Sequence, residues 1–225
     1  PMPAKKGTGL LMVWAEVPDH LEDEFNRWYN EEHLAERLSV PGVLSAARYE
    51  AVSSGPKHLA FYELESPAVL GTPEYRKHLD DPTEWSRRMS PAMIGTVYIR
   101  NVYRMVHPAR LTDEIAGSGM APALQIGRMD IPLDVEDEWN RWYNTVYVPN
   151  YQKVPGVIRG RRFSAVSGEP AYLTVYEFEH ENASRSDEWA VQQNIDPRNA
   201  EMRAAMIHAP GSPGIWKKTF ELPGR

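Results

Sequence analysis

The sequence predicts an α+β chain in which one β-α-β-β-α-β unit occurs twice and the two sheets pack face to face. Three observations carry this. The stretch "FNRWYNEEH", residues 25–33, returns as "WNRWYNTVY", residues 139–147. The match runs without a gap from 22–65 to 136–179, with 21 of 44 aligned pairs identical, which marks an internal duplication. Within each copy the hydrophobic period switches between two and 3.6, as strands and helices require.

The elements follow in order. "GLLMVWAEV" alternates and is rich in β-formers, so it is a strand. "HLEDEFNRWYNEEHLAERL" places Leu21, Phe25, Trp28 and Tyr29 at helical spacing, and its acidic start complements a helix dipole. "VPGV" stops the helix. "LSAARYEAVSS" and "HLAFYELES" read as two strands joined at Gly55 and Pro56. A polar segment with Tyr75, Leu79, Trp85 and Met89 gives a second, less regular helix, and "MIGTVYIRNVYRMV" closes the unit as a strand. The second copy repeats the order through "ALQIGRMDI", a helix over 136–153, "VIRGRRFSAVS", "AYLTVYEFE", a helix near 183–207 and "GIWKKTFEL". This is the ferredoxin-like order. Its helices cover one sheet face only, so the bare face needs a partner, and a fused second copy supplies one. The expected division is a first repeat at 1–112, a linker at 113–120 containing Gly117, Ser118 and Gly119, and a second repeat at 121–225.

Composition narrows the function. The 225 residues carry no cysteine, so thiolate metal sites, disulfides and cysteine nucleophiles are excluded. A net charge of −6 and no extended basic patch argue against a nucleic-acid partner; the one dense cluster, "RGRR" at 159–162, reads as solvated or pocket-lining. No apolar run is long enough to span a membrane, and no secretory signal is visible, so a cytoplasmic location is the expectation. The histidines show no H-x-H, H-x-x-x-H or H-E-x-x-H spacing, so no metal site is expected. There is no G-x-G-x-x-G, Walker loop or G-x-S-x-G.

A strand followed by a helix of the form F-x-x-W-Y-x-x-E-H, then V-P-G-V, then a strand with Arg-Tyr, resembles the dimeric α+β barrel superfamily, and within it the EthD-like and stress-responsive barrel proteins. The resemblance covers both halves. It implies an intramolecular version of that barrel and a small apolar pocket between helices and sheet, with a histidine or tyrosine inside. It also implies one of several activities: cofactor-free monooxygenase, cyclase, isomerase, haem-dependent dehydratase.

On an α-helix residues four apart lie about 40° apart, so Leu21, Phe25, Tyr29 and His33 form one line that ends in an imidazole. His33 is the candidate general base. Asn30 would orient it or bind a substrate oxygen, Tyr29 would assist, and Arg48 would clamp a developing anion. The competing reading of Arg48, and of its equivalent Arg162, is an ion pair with Glu63 or Glu177. Trp14, Trp28, Phe25, Tyr143 and Tyr147 are the expected aromatic walls for substrate. In the second copy Tyr147 replaces His33, and a phenol is a poor base near neutrality. The expected function is a cofactor-independent lyase, isomerase or cyclase acting on a small aromatic or polyketide-like molecule. The alternatives are a monooxygenase, cofactor-free or haem-bound with His33 on the iron, and a non-catalytic binding or stress protein. The fusion makes a monomer sufficient and leaves a homodimer open.

Overall fold

The structure is a computed structural model that describes residues 2–222. Eight strands close into one antiparallel barrel: β1 (Gly9–Glu16), β2 (Val43–Ser53), β3 (His58–Leu64), β4 (Val97–His107), β5 (Ala123–Asp130), β6 (Val157–Ser167), β7 (Tyr172–Phe178) and β9 (Gly214–Glu221). A two-residue strand, β8 (Ile207–His208), pairs with the end of β5. In the first half the order is β2-β3-β1-β4, and in the second β6-β7-β5-β9. The halves join through β4 with β6 and β2 with β9, so the last strand of each copy pairs with the second strand of the other. That reciprocal exchange has the symmetry of a homodimer within one chain.

Alternation along each strand splits the interior into three cores. Leu10, Met12 and Trp14 of β1 point into the barrel with Tyr49, Phe61, Tyr103, Phe163 and Trp216. Leu11 and Ala15 point outward against Phe25, Trp28 and Tyr29 of the first-half helices. Ala123 and Met129 do the same in the second half against Trp139, Trp142 and Tyr143. Glu16 Oε1 accepts from the Lys57 amide at 2.6 Å, and its equivalent Asp130 from the Ala171 amide at 2.8 Å. Each ties its β2–β3-type hairpin to the first strand of its own half.

Several expectations need correction. The long helices are not continuous α. Asp19–Trp28 (α1) passes through a π turn, Tyr29–His33, into Leu34–Leu38 (α2). The second copy repeats the break at Tyr143–Tyr147, between Glu136–Trp142 and Val148–Tyr151. The second helix of each half is several pieces. In the first these are Pro73–Asp80, Glu84–Met89 and Pro91–Ile94, interrupted at Pro82 and Ser90. In the second they are Asp187–Asn194 and Arg198–Ala205, interrupted before Pro197, as proline's missing N–H requires.

The arginine pairing also differs. Arg48 faces Ala60 across the β2–β3 ladder, so Glu63, three residues on, lies on the opposite face. Glu63 points into the barrel, where it meets Arg161 of the other half at 2.5 Å; Arg161 Nε also donates to Glu177 at 3.1 Å. Of the two readings of the "RGRR" cluster, solvated or pocket-lining, the first fails: Arg159, Arg161 and Arg162 are at 8 %, 1 % and 0 % exposure, while Arg159 and Gly160 line a small pocket beside His107. The segment 113–120 contains a helical turn, Asp113–Gly117, and the carbonyls of Ser118 and Gly119 accept from Lys6 Nζ. Among the described residues no helix is long and apolar enough to cross a membrane.

Candidate functional site

The first-half helices and the outer sheet face enclose a cavity of about 340 Å³. Leu11, Val13 and Tyr62 form its floor, and the π turn supplies Tyr29 and His33 beside Trp28. The π turn sets their geometry. With five residues per hydrogen-bonded step, position i meets i+5. His33 accordingly lies flat on Trp28, with ring centroids 4.3 Å apart and planes 25° apart, while Tyr29 meets it edge-on at 5.2 Å. Trp28 is fixed in turn: its Nε1 donates to Glu32 and to Ser86 Oγ, both at 3.2 Å.

His33 Nδ1 is buried and has no hydrogen-bond partner. Glu36 Oε1 stands 3.8 Å away, beyond hydrogen-bond reach, and is equally distant from His78 Nδ1. Glu36 instead accepts from Arg37 Nη1 at 3.1 Å. Burial, with Arg37 and His78 nearby, holds His33 well below the ordinary imidazole range. It is therefore neutral at pH 7 and keeps a free lone pair. The Tyr62 hydroxyl has no partner within 3.5 Å, although the Tyr29 hydroxyl is beside it, and burial raises it well above the ordinary phenol range. Burial likewise raises Tyr29. Arg37 stacks over Tyr75 at 5.2 Å, and Arg100 donates to the Tyr75 hydroxyl at 3.0 Å. The cavity thus combines aromatic walls, a neutral base, a phenol donor and three guanidiniums, of which Arg87 is exposed.

The other residues singled out from the sequence fall outside this cavity. Arg48 lies behind its wall, where Nη1 donates to Asn30 at 3.2 Å and Nη2 to Asn26 at 2.8 Å. Nη2 also lies 3.3 Å from His58 Nδ1. Asn30 is thus turned to Arg48, and Phe25 packs under the same guanidinium at 5.5 Å. Trp14 is in the barrel, where Arg128, its counterpart in the second copy, stacks on it at 4.7 Å. Sequence reasoning missed Arg37, Tyr62, His78 and Arg100. Strand parity could have placed Tyr62 beside Ala60 on the helix-facing side; the others depend on tertiary packing.

The second half holds a cavity of about 150 Å³ lined by Tyr143 and Tyr147. Tyr147 repeats the His33 geometry, stacked on Trp142 at 4.4 Å and 26°. Its hydroxyl is engaged by Tyr151 Oη at 2.9 Å. Tyr151 stands where the first half has Arg37, and Trp189 where it has Tyr75; the two rings stack at 3.7 Å and fill the space. Among the described residues no group of three or more His, Asp or Glu is placed to hold a metal ion.

No protein-family model and no curated protein sequence matches this chain. Solved structures do. An anthrone oxidase-like protein aligns with a TM-score of 0.66 at 13% identity, over 99% of this chain and 96% of that one. A candidate monooxygenase of Lactobacillus acidophilus aligns at 0.57 and 7% identity, over 95% of each chain. A haem-binding protein of Thermus thermophilus aligns at 0.55 and 11% identity, over 98% and 94%. The haem-binding neighbour raises that cofactor for these cavities. The larger cavity is near the lower end of the roughly 300–1,000 Å³ range of ligand pockets, a size for two or three fused rings rather than a tetrapyrrole. The smaller is closed by the Tyr151–Trp189 stack. Neither of these two cavities, as shaped here, has room for a tetrapyrrole. What these likenesses establish is the fold: the chain is a dimeric α+β barrel closed within one polypeptide.

Proposed function

We propose that the first-half cavity is the active site of a cofactor-free oxygenase for flat, hydroxylated polycyclic aromatics, with His33 as general base. The observation that carries this reading is the neutral His33 imidazole, 11 % exposed, whose Nδ1 is buried and unpartnered in an aromatic-walled cavity. Proton removal from an acidic CH₂ is common to isomerase, cyclase and oxygenase chemistry. The neighbours described as anthrone oxidase-like and as a candidate monooxygenase favour the branch in which the carbanion meets O₂. On the F-x-x-W-Y-x-x-E-H motif we also propose kinship with EthD-like and stress-responsive barrels.

In this reading His33 takes one proton from the CH₂, and the negative charge spreads into an oxygen held by the Tyr62 hydroxyl and by Arg37 or Arg100. The carbanion reduces O₂ and forms a C–O bond, giving a peroxide. Loss of the second C–H proton breaks the O–O bond, leaving C=O and releasing water. CH₂ and O₂ become C=O and H₂O, so the substrate supplies all the electrons. Arg48 and Asn30 serve as positioning residues through α1 and the π turn.

The experiment is oxygen uptake with 1,8-dihydroxyanthrone. One O₂ consumed per quinone formed, faster than the spontaneous reaction, supports the proposal. A rearranged product without oxygen uptake restores the isomerase or cyclase reading, and a haem absorption band in the purified protein overturns the cofactor-free one.

A further inference from the structure

The second-half cavity is not simply a collapsed copy of the first. Its floor carries two hydroxyls with no partner within 3.5 Å, each beside the Tyr143 hydroxyl: Thr174 Oγ1, in a residue 1 % exposed, and Tyr176 Oη, in a residue 4 % exposed. Both residues line the cavity. Leaving a buried hydroxyl unpaired costs roughly 1–3 kcal/mol, so two on residues that line one cavity mark a place where something could supply hydrogen bonds. Thr174 stands where the first half has Ala60, so one of the two hydroxyls is particular to this cavity. Tyr143, Tyr147, Tyr151 and Trp189 supply aromatic walls, and Gln193, Arg203 and His208 add polar groups to the lining.

We propose that this cavity is a second, non-catalytic binding site for a single-ring phenol. Three features select that chemistry. A volume of about 150 Å³ matches cavities that accept one benzene-sized ring, and is less than half that of the first cavity. The waiting groups are neutral hydroxyls, and a phenolic O–H can donate to one and accept from the other. The one guanidinium on the lining, Arg203, is exposed at the rim, where it faces the Gln193 amide oxygen. A carboxylate would therefore enter the interior without a partner for its charge. No base is set inside the cavity as His33 is in the first: Tyr147 occupies the His33 position with its hydroxyl held by Tyr151, and the one imidazole on the lining, His208, is exposed at the rim with Nδ1 3.3 Å from Ser212 Oγ. The ligand is held and not turned over.

The test is calorimetric titration of the full chain with phenol and with toluene. Wild type binds phenol saturably and at least ten times more tightly than toluene. Thr174→Val/Tyr176→Phe keeps the volume and removes both hydroxyls. It is expected to keep or raise the melting temperature and to lose the preference for phenol. His33→Ala, in the other cavity, leaves the phenol affinity unchanged. The proposal is overturned by no saturable binding, which would mean that water satisfies the hydroxyls. It is overturned equally by a preference that survives in the double variant, or by binding lost in His33→Ala. If the double variant fails to fold, Thr174→Val alone, with Thr and Val nearly isosteric, is expected to weaken phenol several-fold.

Discussion

At the residue scale the two copies differ where chemistry requires it. His33 and Tyr147 occupy the same place on the same turn, each stacked on the tryptophan five residues earlier. His33 keeps a free buried nitrogen, while the Tyr147 oxygen is bonded. Removing a general base typically costs a factor of about 10² to 10⁴ in rate. Tyr147→Phe deletes one hydroxyl–hydroxyl bond away from the base, so its turnover is expected to stay within a few-fold of wild type. A second histidine bears on acid stability. Burial, then the charge of Arg48, pushes His58 down to about 4. Between about 4 and the unfolded value of about 6.5 the unfolded chain binds the extra proton, so stability rises with pH across that window and is lost on acidification. His58→Gln can still accept from Arg48, and its melting temperature is expected to fall less steeply from pH 6.5 to 4 than that of wild type. Equal slopes would show that His58 is not held neutral.

At the element scale the π turn decides what the sequence could reveal. A 3.6-residue period put His33 on the line of Leu21, Phe25 and Tyr29, which placed it correctly at the helix–sheet boundary. It missed the stack on Trp28, because the wider turn moves contacts from four residues apart to five. Arg48 shows a similar limit. Its two readings from sequence, anion clamp and partner of Glu63, both overlooked that α1 and the π turn present Asn26 and Asn30 to β2. Arg48→Met leaves both amide oxygens without their donor and removes a cation stacked on Tyr29 at 4.7 Å. A loss of about 2–4 kcal/mol is expected, seen as a lower denaturation midpoint. Substrate affinity should change less than turnover if the helix, rather than a direct contact, carries the effect. Unchanged stability would remove Arg48 from this role.

At the scale of the whole molecule the gapless repeat made the architecture legible, because two identical local patterns force the same unit twice. The closure was less visible. Nothing in the local pattern says that Arg161 of one half is clasped by Glu63 of the other as well as by Glu177 of its own, at 1 %, 0 % and 2 % exposure. Breaking a buried pair by removing one partner typically costs about 3–5 kcal/mol. Arg161→Met is therefore expected to lower the melting temperature by roughly 10 °C in a chain of this size, and calorimetry would show one cooperative transition for both halves. Two separate transitions would contradict a single closed barrel. Because that barrel needs no second chain, light scattering is expected to give a mass near 25.6 kDa; twice that value would reveal a further interface.

The most direct measurement compares oxygen uptake with 1,8-dihydroxyanthrone for wild type, His33→Ala and Tyr147→Phe at pH 7.5. The expected result is a rate lower by about 10² to 10⁴ in His33→Ala, with the fold intact by circular dichroism and Tyr147→Phe close to wild type. A His33→Ala protein as fast as wild type, or an inactive Tyr147→Phe, would show that the first-half cavity is not where the chemistry happens.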